Sequence, residues 1–582
     1  MIVVAEVVQS LLGANIMKKS ILKSPVRTIL TLFIVGFWTI SFSQTAQANG
    51  KEKQPPHSEI STEVPLLEGL FALDYPITTD NKKAQAYFNQ ALVLTYGFDH
   101  TDAEISFMEA IKYDVECAMA YWGIAFVLGP NINAPMKDDN VQRAYAMVQK
   151  ALALAGKVTA KERALIEALA VRYASESMPD RSSLDKAFAV AMRKVYQLYP
   201  DDPNVAVLYA ESLMDLHPWN YWADDGAPQP WEPEIEAVLE KVVKEYPNHP
   251  HGHHLYIHLL ENSPKPEATV NSADIIRRLA PASGHLVHMA GHAYYAAGLY
   301  HDCSTINEEA IGLDKILRSS FDSSGLYQVA YMPHNIHFLL ASYMMEGRSR
   351  EAIAAARTLS AGIDSDMMRQ PGMGALQLYY LSPYYALVRF GKWDMVLAEA
   401  APAEDLKYPL GMWHYARGIA YVREGDVSRA EVELAKLRTL AADPAVANVK
   451  IWDLNSGSDL LGIAVEVLAG EVNAARGDTD TALAHFRRGV VMEDKLLFDE
   501  PPSWYFPVRQ SLGALLLDLD QIEEAEAVFR KDLLKNAENP WSLYGLSRCL
   551  KAKGATAMAA DAEKRFSRAW ARADLELSRP VF

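Results

Sequence analysis

The sequence predicts an all-α solenoid, a superhelix built from helix-turn-helix repeats. Three observations predict it. Apolar residues recur at helical spacing from near Lys82 almost to the C-terminus. Glycines punctuate that pattern at Gly298, Gly347, Gly391, Gly425 and Gly477. Histidine pairs recur in register: His254 to His288 and His258 to His292 are each 34 residues (288 − 254 and 292 − 258).

Taken in order, the chain opens on a segment that reads as targeting rather than fold. Lys18, Lys19, Lys23 and Arg27 precede a mostly apolar stretch from Ile29 to Phe42, and Ala46-Gln47-Ala48 is a small-x-small cleavage site. Residues 1–48 are therefore expected to be a signal peptide, with the mature chain starting near Asn49. Met17 is a second candidate start, and a retained anchor helix is the alternative to cleavage. The expectation is an exported protein, periplasmic or secreted. No later stretch reaches membrane-spanning length without charge, so no membrane association is expected after cleavage. Residues 49–81 read as a polar linker and irregular lead-in.

The rest divides into N-terminal repeats (82–203), histidine-rich central repeats (204–358) and C-terminal repeats (359–582). Small residues stand seven places before three of the turn glycines, at Gly291, Gly418 and Gly470. Behind the turns come Ala352 with Ala356, Ala430 with Leu434, and Ala482 with Phe486; a further unit places Gly513 before Ala525 and Phe529. Small residues let helices approach and large ones fill between them. Spacing is uneven: Gly298 to Gly347 is 49 residues and Gly425 to Gly477 is 52, so extra loops or longer helices are expected. One such loop, His217-Pro-Trp-Asn-Tyr-Trp222, is aromatic; binding and packing roles are both open to it.

Half of the residues are hydrophobic, which excludes wholesale disorder. The formal charge of −17, with no Lys/Arg tract, argues against a nucleic-acid binder. Cys117, Cys303 and Cys549 match no zinc or disulfide spacing and read as small buried residues.

The segments CAMAYWGIAFVLGPNIN (117–133), HHLYIHLLENSPKPE (253–267), GHLVHMAGHAYYAAGLYHDC (284–303), PHNIHF (333–338) and NPWSLYGL (539–546) carry a family likeness. The chain resembles tetratricopeptide-repeat (TPR) proteins, and more narrowly a large bacterial group of exported TPR proteins with histidine motifs. Members often have Pro beside the second histidine of HLVHM-x-x-H, where this chain has Ala290 and Gly291. The resemblance implies a TPR-like superhelix and a concave face that binds a peptide, a protein or a small molecule. It also implies that His288, His292, His334 and His337 occupy first-helix positions lining that face. It implies no particular activity.

Twelve of the 16 histidines lie between His217 and His337. His254/His258 and His288/His292 are four apart and His334/His337 three apart, so each pair shares a helical face. Six imidazoles on three neighbouring helices suit one or two transition-metal ions such as Zn, Cu or Fe. A hydrogen-bonded ladder lining a groove is the alternative. The candidate ligands are His254, His258, His288, His292, His334 and His337, with Glu211 as a further ligand or a base. Asp215, Trp219, Trp222 and Asn335 are expected to line the groove, while His253 and His285 sit off the repeated face. Two functional classes follow: a binding or scaffold module, and a metal-dependent hydrolase or oxidoreductase.

Overall fold

The computed structural model describes residues 64–70, 73, 75–223, 225–321 and 325–582. The expected signal peptide and most of the linker lie outside the described residues. Among the described residues, twenty-six α-helices run from Lys82–Tyr96 to Thr556–Ala569, stacked as an all-α solenoid of TPR-like helix-turn-helix pairs. Typical pairs are Gly284–Ala296 with Tyr300–Ser320, Met332–Glu346 with Ser349–Ala361, and Val508–Asp518 with Ile522–Lys535. Among the described residues the one β-sheet is a two-residue-per-strand hairpin, Lys450–Ile451 against Asn455–Ser456. It sits before the Gly457–Ala475 helix and takes up part of the long Gly425–Gly477 spacing.

Local signals start the helices that matter here. Asp202 caps Pro203–Met214 by accepting from the Asn204 and Val205 N–H groups, with Pro203 at the first helical position. The His249 ring caps Pro250–Leu260 by accepting from Gly252 N, and Ser283 caps Gly284–Ala296. All five expected turn glycines have positive φ. At Gly298 and Gly347 the need is double. Their φ values are 74° and 71°, and a side chain would strike Ala537 at the first and Trp570 at the second.

Those two contacts are long-range, and they close the array. Tyr300 Oη donates to Ala537 O at 2.7 Å and Trp541 Nε1 to Met344 O at 3.2 Å. Asp574 accepts from the Ser349 and Arg350 N–H groups at 2.9 and 3.0 Å. The C-terminal repeats thus return onto the central ones, and the face expected to be an open groove becomes an interior. The three cysteines are buried and unpaired. No helix among the described residues is long and apolar enough to cross a membrane.

The small-large packing is clearest around Phe529, whose ring lies between Gly513 and Gly545. A Cβ at Gly513 would stand 2.5 Å from that ring. Gly513→Ala should therefore destabilise the C-terminal repeats by about 1–3 kcal/mol through overpacking. Hydrogen exchange over residues 508–552 measures this; protection equal to the parent chain would contradict the packing account.

Candidate metal centre

The centre is built from three helices and two loops. Pro250–Leu260 supplies His254 and His258, with Glu261 as its C-cap residue. Gly284–Ala296 supplies His285, His288 and His292. A π-helical turn, Tyr327–Tyr331, leads into Met332–Glu346, which supplies His334. Glycines let these helices nest: a Cβ at Gly252 would stand 2.7 Å from Val242, and one at Gly291 2.6 Å from Asn307. Glu500 arrives from the loop before the Val508–Asp518 helix.

The imidazoles form two triads, His254–His258–His285 and His288–His292–His334. Within each, one ligand atom per residue lies within 4.8 Å of the others. The triads adjoin, with ring centroids 5.3 Å apart for His258–His292 and 5.7 Å for His285–His288. Five of the six side chains are buried and His334 is half-buried.

Hydrogen bonds fix the tautomers. His254 Nδ1 meets Tyr96 O at 2.7 Å, His258 Nδ1 meets Glu261 Oε1 at 2.8 Å, and His288 Nδ1 meets Asn307 Oδ1 at 2.6 Å. His292 Nδ1 meets Glu261 Oε2 at 2.7 Å and Glu500 Oε1 at 2.9 Å. Every partner is an acceptor, so each Nδ1 carries hydrogen. In a neutral ring that leaves the Nε2 lone pair for a ligand, which is how metal-binding histidines are commonly held.

Burial makes these nitrogens expensive to leave alone. His254 Nε2, His258 Nε2 and both nitrogens of His285 are buried without a hydrogen-bond partner. In the second triad, His292 Nε2 stands 2.8 Å from His288 Nε2 and 3.4 Å from His334 Nε2. Tetrahedral ligands at ~2.05 Å from an ion stand ~3.3 Å apart, so this spacing suits a metal after a shift of about half an ångström.

The electrostatics agree. Burial holds His254, His258, His285, His288 and His334 well below the usual imidazole range, in the neutral form that ligates. Burial also acts to lower His292, but the Glu500 and Glu261 carboxylates outweigh it and raise that ring to about 10. Burial, and then Glu500, push Glu261 well above the carboxylate range. His258, Glu261, His292 and Glu500 form a further grouping of ligand atoms that shares imidazoles with both triads.

Aromatic rings wall the site. Phe98 packs on His254 at 4.6 Å and on His285 at 5.6 Å. Tyr331 meets His285 edge-on at 5.0 Å, and Trp219 does the same to His258 at 5.1 Å. Phe338 covers the second triad, 4.4 Å from His292.

Other expected site residues lie elsewhere. His337 joins neither triad; it packs edge-on to Tyr379 at 5.3 Å, because Met332–Glu346 turns His334 toward His292. Glu211 accepts from His251 at 3.1 Å, outside both triads, and burial raises it to about 7. Asp215 pairs with buried Arg172 at 2.7 Å. Trp222 Nε1 donates to Leu259 O, and Asn335 Nδ2 donates to Asp314, so both serve packing. Trp219 alone of the expected groove residues touches the centre. His253 is held by Ser272 and Pro247 O. His285, expected off the ligand face, lies in the first triad. Glu261, Asn307, Glu500 and Phe98 were not singled out by pattern. Glu261 had a signal, three residues after His258; Glu500 had none.

No protein-family model matches the chain, and no curated protein matches it. In fold it is similar to a chain of the Cut9–Hcn1 hetero-tetramer of the APC/C (12% identity, 86% of this chain and 76% of that one, TM-score 0.29). It is likewise similar to human IFIT1, solved as a dimer with m7Gppp-AAAA (13% identity, 84% and 90%, TM-score 0.32). A third is Ypp1 (9% identity, 83% and 76%, TM-score 0.41). The class defined by fold and site together is a TPR-like superhelical scaffold whose clustered buried histidines can coordinate a metal.

Glu261→Ala removes an acceptor from two buried imidazoles at once. It should cost about 3–5 kcal/mol of stability, measured by urea denaturation in excess chelator. A loss below about 1 kcal/mol would mean the carboxylate does not organise the rings.

Proposed function

We propose that this is an exported metalloprotein whose TPR-like shell holds two transition-metal ions, drawn from Zn, Cu and Fe, side by side. His254, His258 and His285 bind one; His288, His292 and His334 bind the other. The observation that carries this reading is the set of buried, unpartnered imidazole nitrogens in the first triad, above all both nitrogens of His285. Imidazole nitrogens suit all three metals, and neither triad takes a carboxylate as ligand.

Elemental analysis of the mature chain without a histidine tag, loaded with each metal and desalted, should give two ions per chain. His254→Ala with His285→Ala should leave one, and so should His288→Ala with His334→Ala. Absence of stoichiometric metal under every loading would end this reading. Signal cleavage predicts that protein recovered from the native cell starts near Asn49; an intact residue 17–48 segment contradicts cleavage.

An enzymatic reading, as a hydrolase or an oxidoreductase, has one observation in its favour. Glu500 Oε2 is buried without a partner while Oε1 stands 2.9 Å from His292 Nδ1, so one carboxylate oxygen beside the second triad is free to accept from a bound molecule. An ion held by His288, His292 and His334 would supply Lewis-acid or redox chemistry beside that oxygen. Copper(II)-loaded protein should then relax water protons faster than the copper-free chain. No enhancement would show that water does not reach the ion.

A further inference from the structure

We propose that the two triads are unequal: His254, His258 and His285 hold copper as the monovalent ion, while His288, His292 and His334 hold a divalent ion, zinc or iron. The assignment rests on the reading of the triads as two ion sites, and adds to it the charge that each accepts. The cost of burying an ion rises with the square of its charge. The groups around each triad therefore decide what it can hold.

The acidic groups lie on one side. His292 faces two carboxylates, Glu261 Oε2 at 2.7 Å and Glu500 Oε1 at 2.9 Å. Glu500 Oε2, buried without a partner, is at hand to meet further positive charge there. In the first triad, among the described residues, only His258 has a carboxylate partner. It is Glu261 Oε1 at 2.8 Å, on the carboxylate already shared with His292. His254 meets a neutral carbonyl, Tyr96 O, at 2.7 Å, and neither nitrogen of His285 has a partner. Other acids close to the first triad are taken up elsewhere. Glu211 meets His251 at 3.1 Å, one ring removed from His254. Asp314, beside Gly284, accepts from Tyr327 and Asn335 at 2.8 and 2.7 Å.

The walls repeat the contrast. Phe98, Tyr331 and Trp219 pack on the rings of the first triad at 4.6–5.6 Å, whereas Phe338 packs on the second. Such apolar surroundings accept one positive charge more readily than two. A ring bound to metal normally passes its other N–H to an acceptor, and a more highly charged ion makes that N–H a stronger donor. His285 offers it no acceptor, which suits the lower charge. Among Zn, Cu and Fe, copper is the metal that is stable as a monovalent ion, and three imidazoles complete its coordination. Zinc takes a fourth ligand, and the acid-backed second triad suits it.

The test loads the metal-free full chain, without oxygen, with one equivalent each of copper(I) and zinc(II), desalts it and counts both by elemental analysis. The expected result is one copper and one zinc per chain. His254→Ala with His285→Ala should keep zinc and lose copper. His288→Ala with His334→Ala should do the reverse, so the ion each variant retains reports that it is folded. Glu500→Gln keeps the side-chain shape and should weaken zinc by about tenfold while copper changes by less than about threefold. Copper K-edge absorption of the loaded chain should show copper(I) with three nitrogen neighbours. Three results overturn the assignment and leave the two-ion reading standing: copper lost with the second pair of histidines, equal amounts of both metals kept by both double variants, or equal weakening of both metals in Glu500→Gln. Absence of both metals from the parent chain ends that reading and the assignment with it.

Discussion

The interior depends on a single shared carboxylate. Glu261 accepts from His258 through one oxygen and from His292, one repeat later, through the other. It ties two successive repeats together and fixes both rings with Nδ1 as donor. A carboxylate buried this deeply is tolerated only when its oxygens are filled by donors or it faces a cation. Glu500 adds a second acidic group at the same place, brought from the C-terminal half of the chain. Burial, and then Glu500, push Glu261 well above the carboxylate range, so the two acidic groups share their protons with the ring between them. The Glu500 and Glu261 acids raise His292 against the pull of burial, and ions bound at the Nε2 atoms of the triads would offset the same acidic groups.

That arrangement was partly legible in sequence. The 34-residue register of His254/His288 and His258/His292 placed four imidazoles on one face, and the structure puts all four in the triads. The register failed at the third helix. Its repeat is 15 residues longer than 34 (49 − 34), and a π-helical turn at Tyr327–Tyr331 feeds it. The helix therefore presents His334 to the centre and leaves His337 against Tyr379. His285 escaped because position counting treats a helix face as narrow, whereas a residue three before His288 also reaches the neighbouring helix. Glu500 lay beyond local reasoning, since only closure of the superhelix brings it to His292. The turn glycines and the Gly513–Phe529 packing were read from sequence because helix pairing is local.

Closure also changes what kind of scaffold this is. A TPR-like array commonly offers its concave face to an extended partner. Here Ala537 against Gly298 and Trp541 against Met344 bring the C-terminal repeats onto that face. Phe98, Trp219 and Tyr331 cover the first triad, and Phe338 covers the second. The enclosed, low-dielectric space favours the neutral form of His254, His258, His285, His288 and His334 and strengthens each hydrogen bond that orients the rings.

The central claim is that two ions sit between imidazole nitrogens. Anomalous diffraction from crystals of metal-loaded protein, at the absorption edge of the metal, tests it most directly. The account predicts two peaks, each ~2.0–2.2 Å from three imidazole nitrogens, one in each triad. A single peak between Glu261 and Glu500, or no peak in a fully loaded sample, would contradict it.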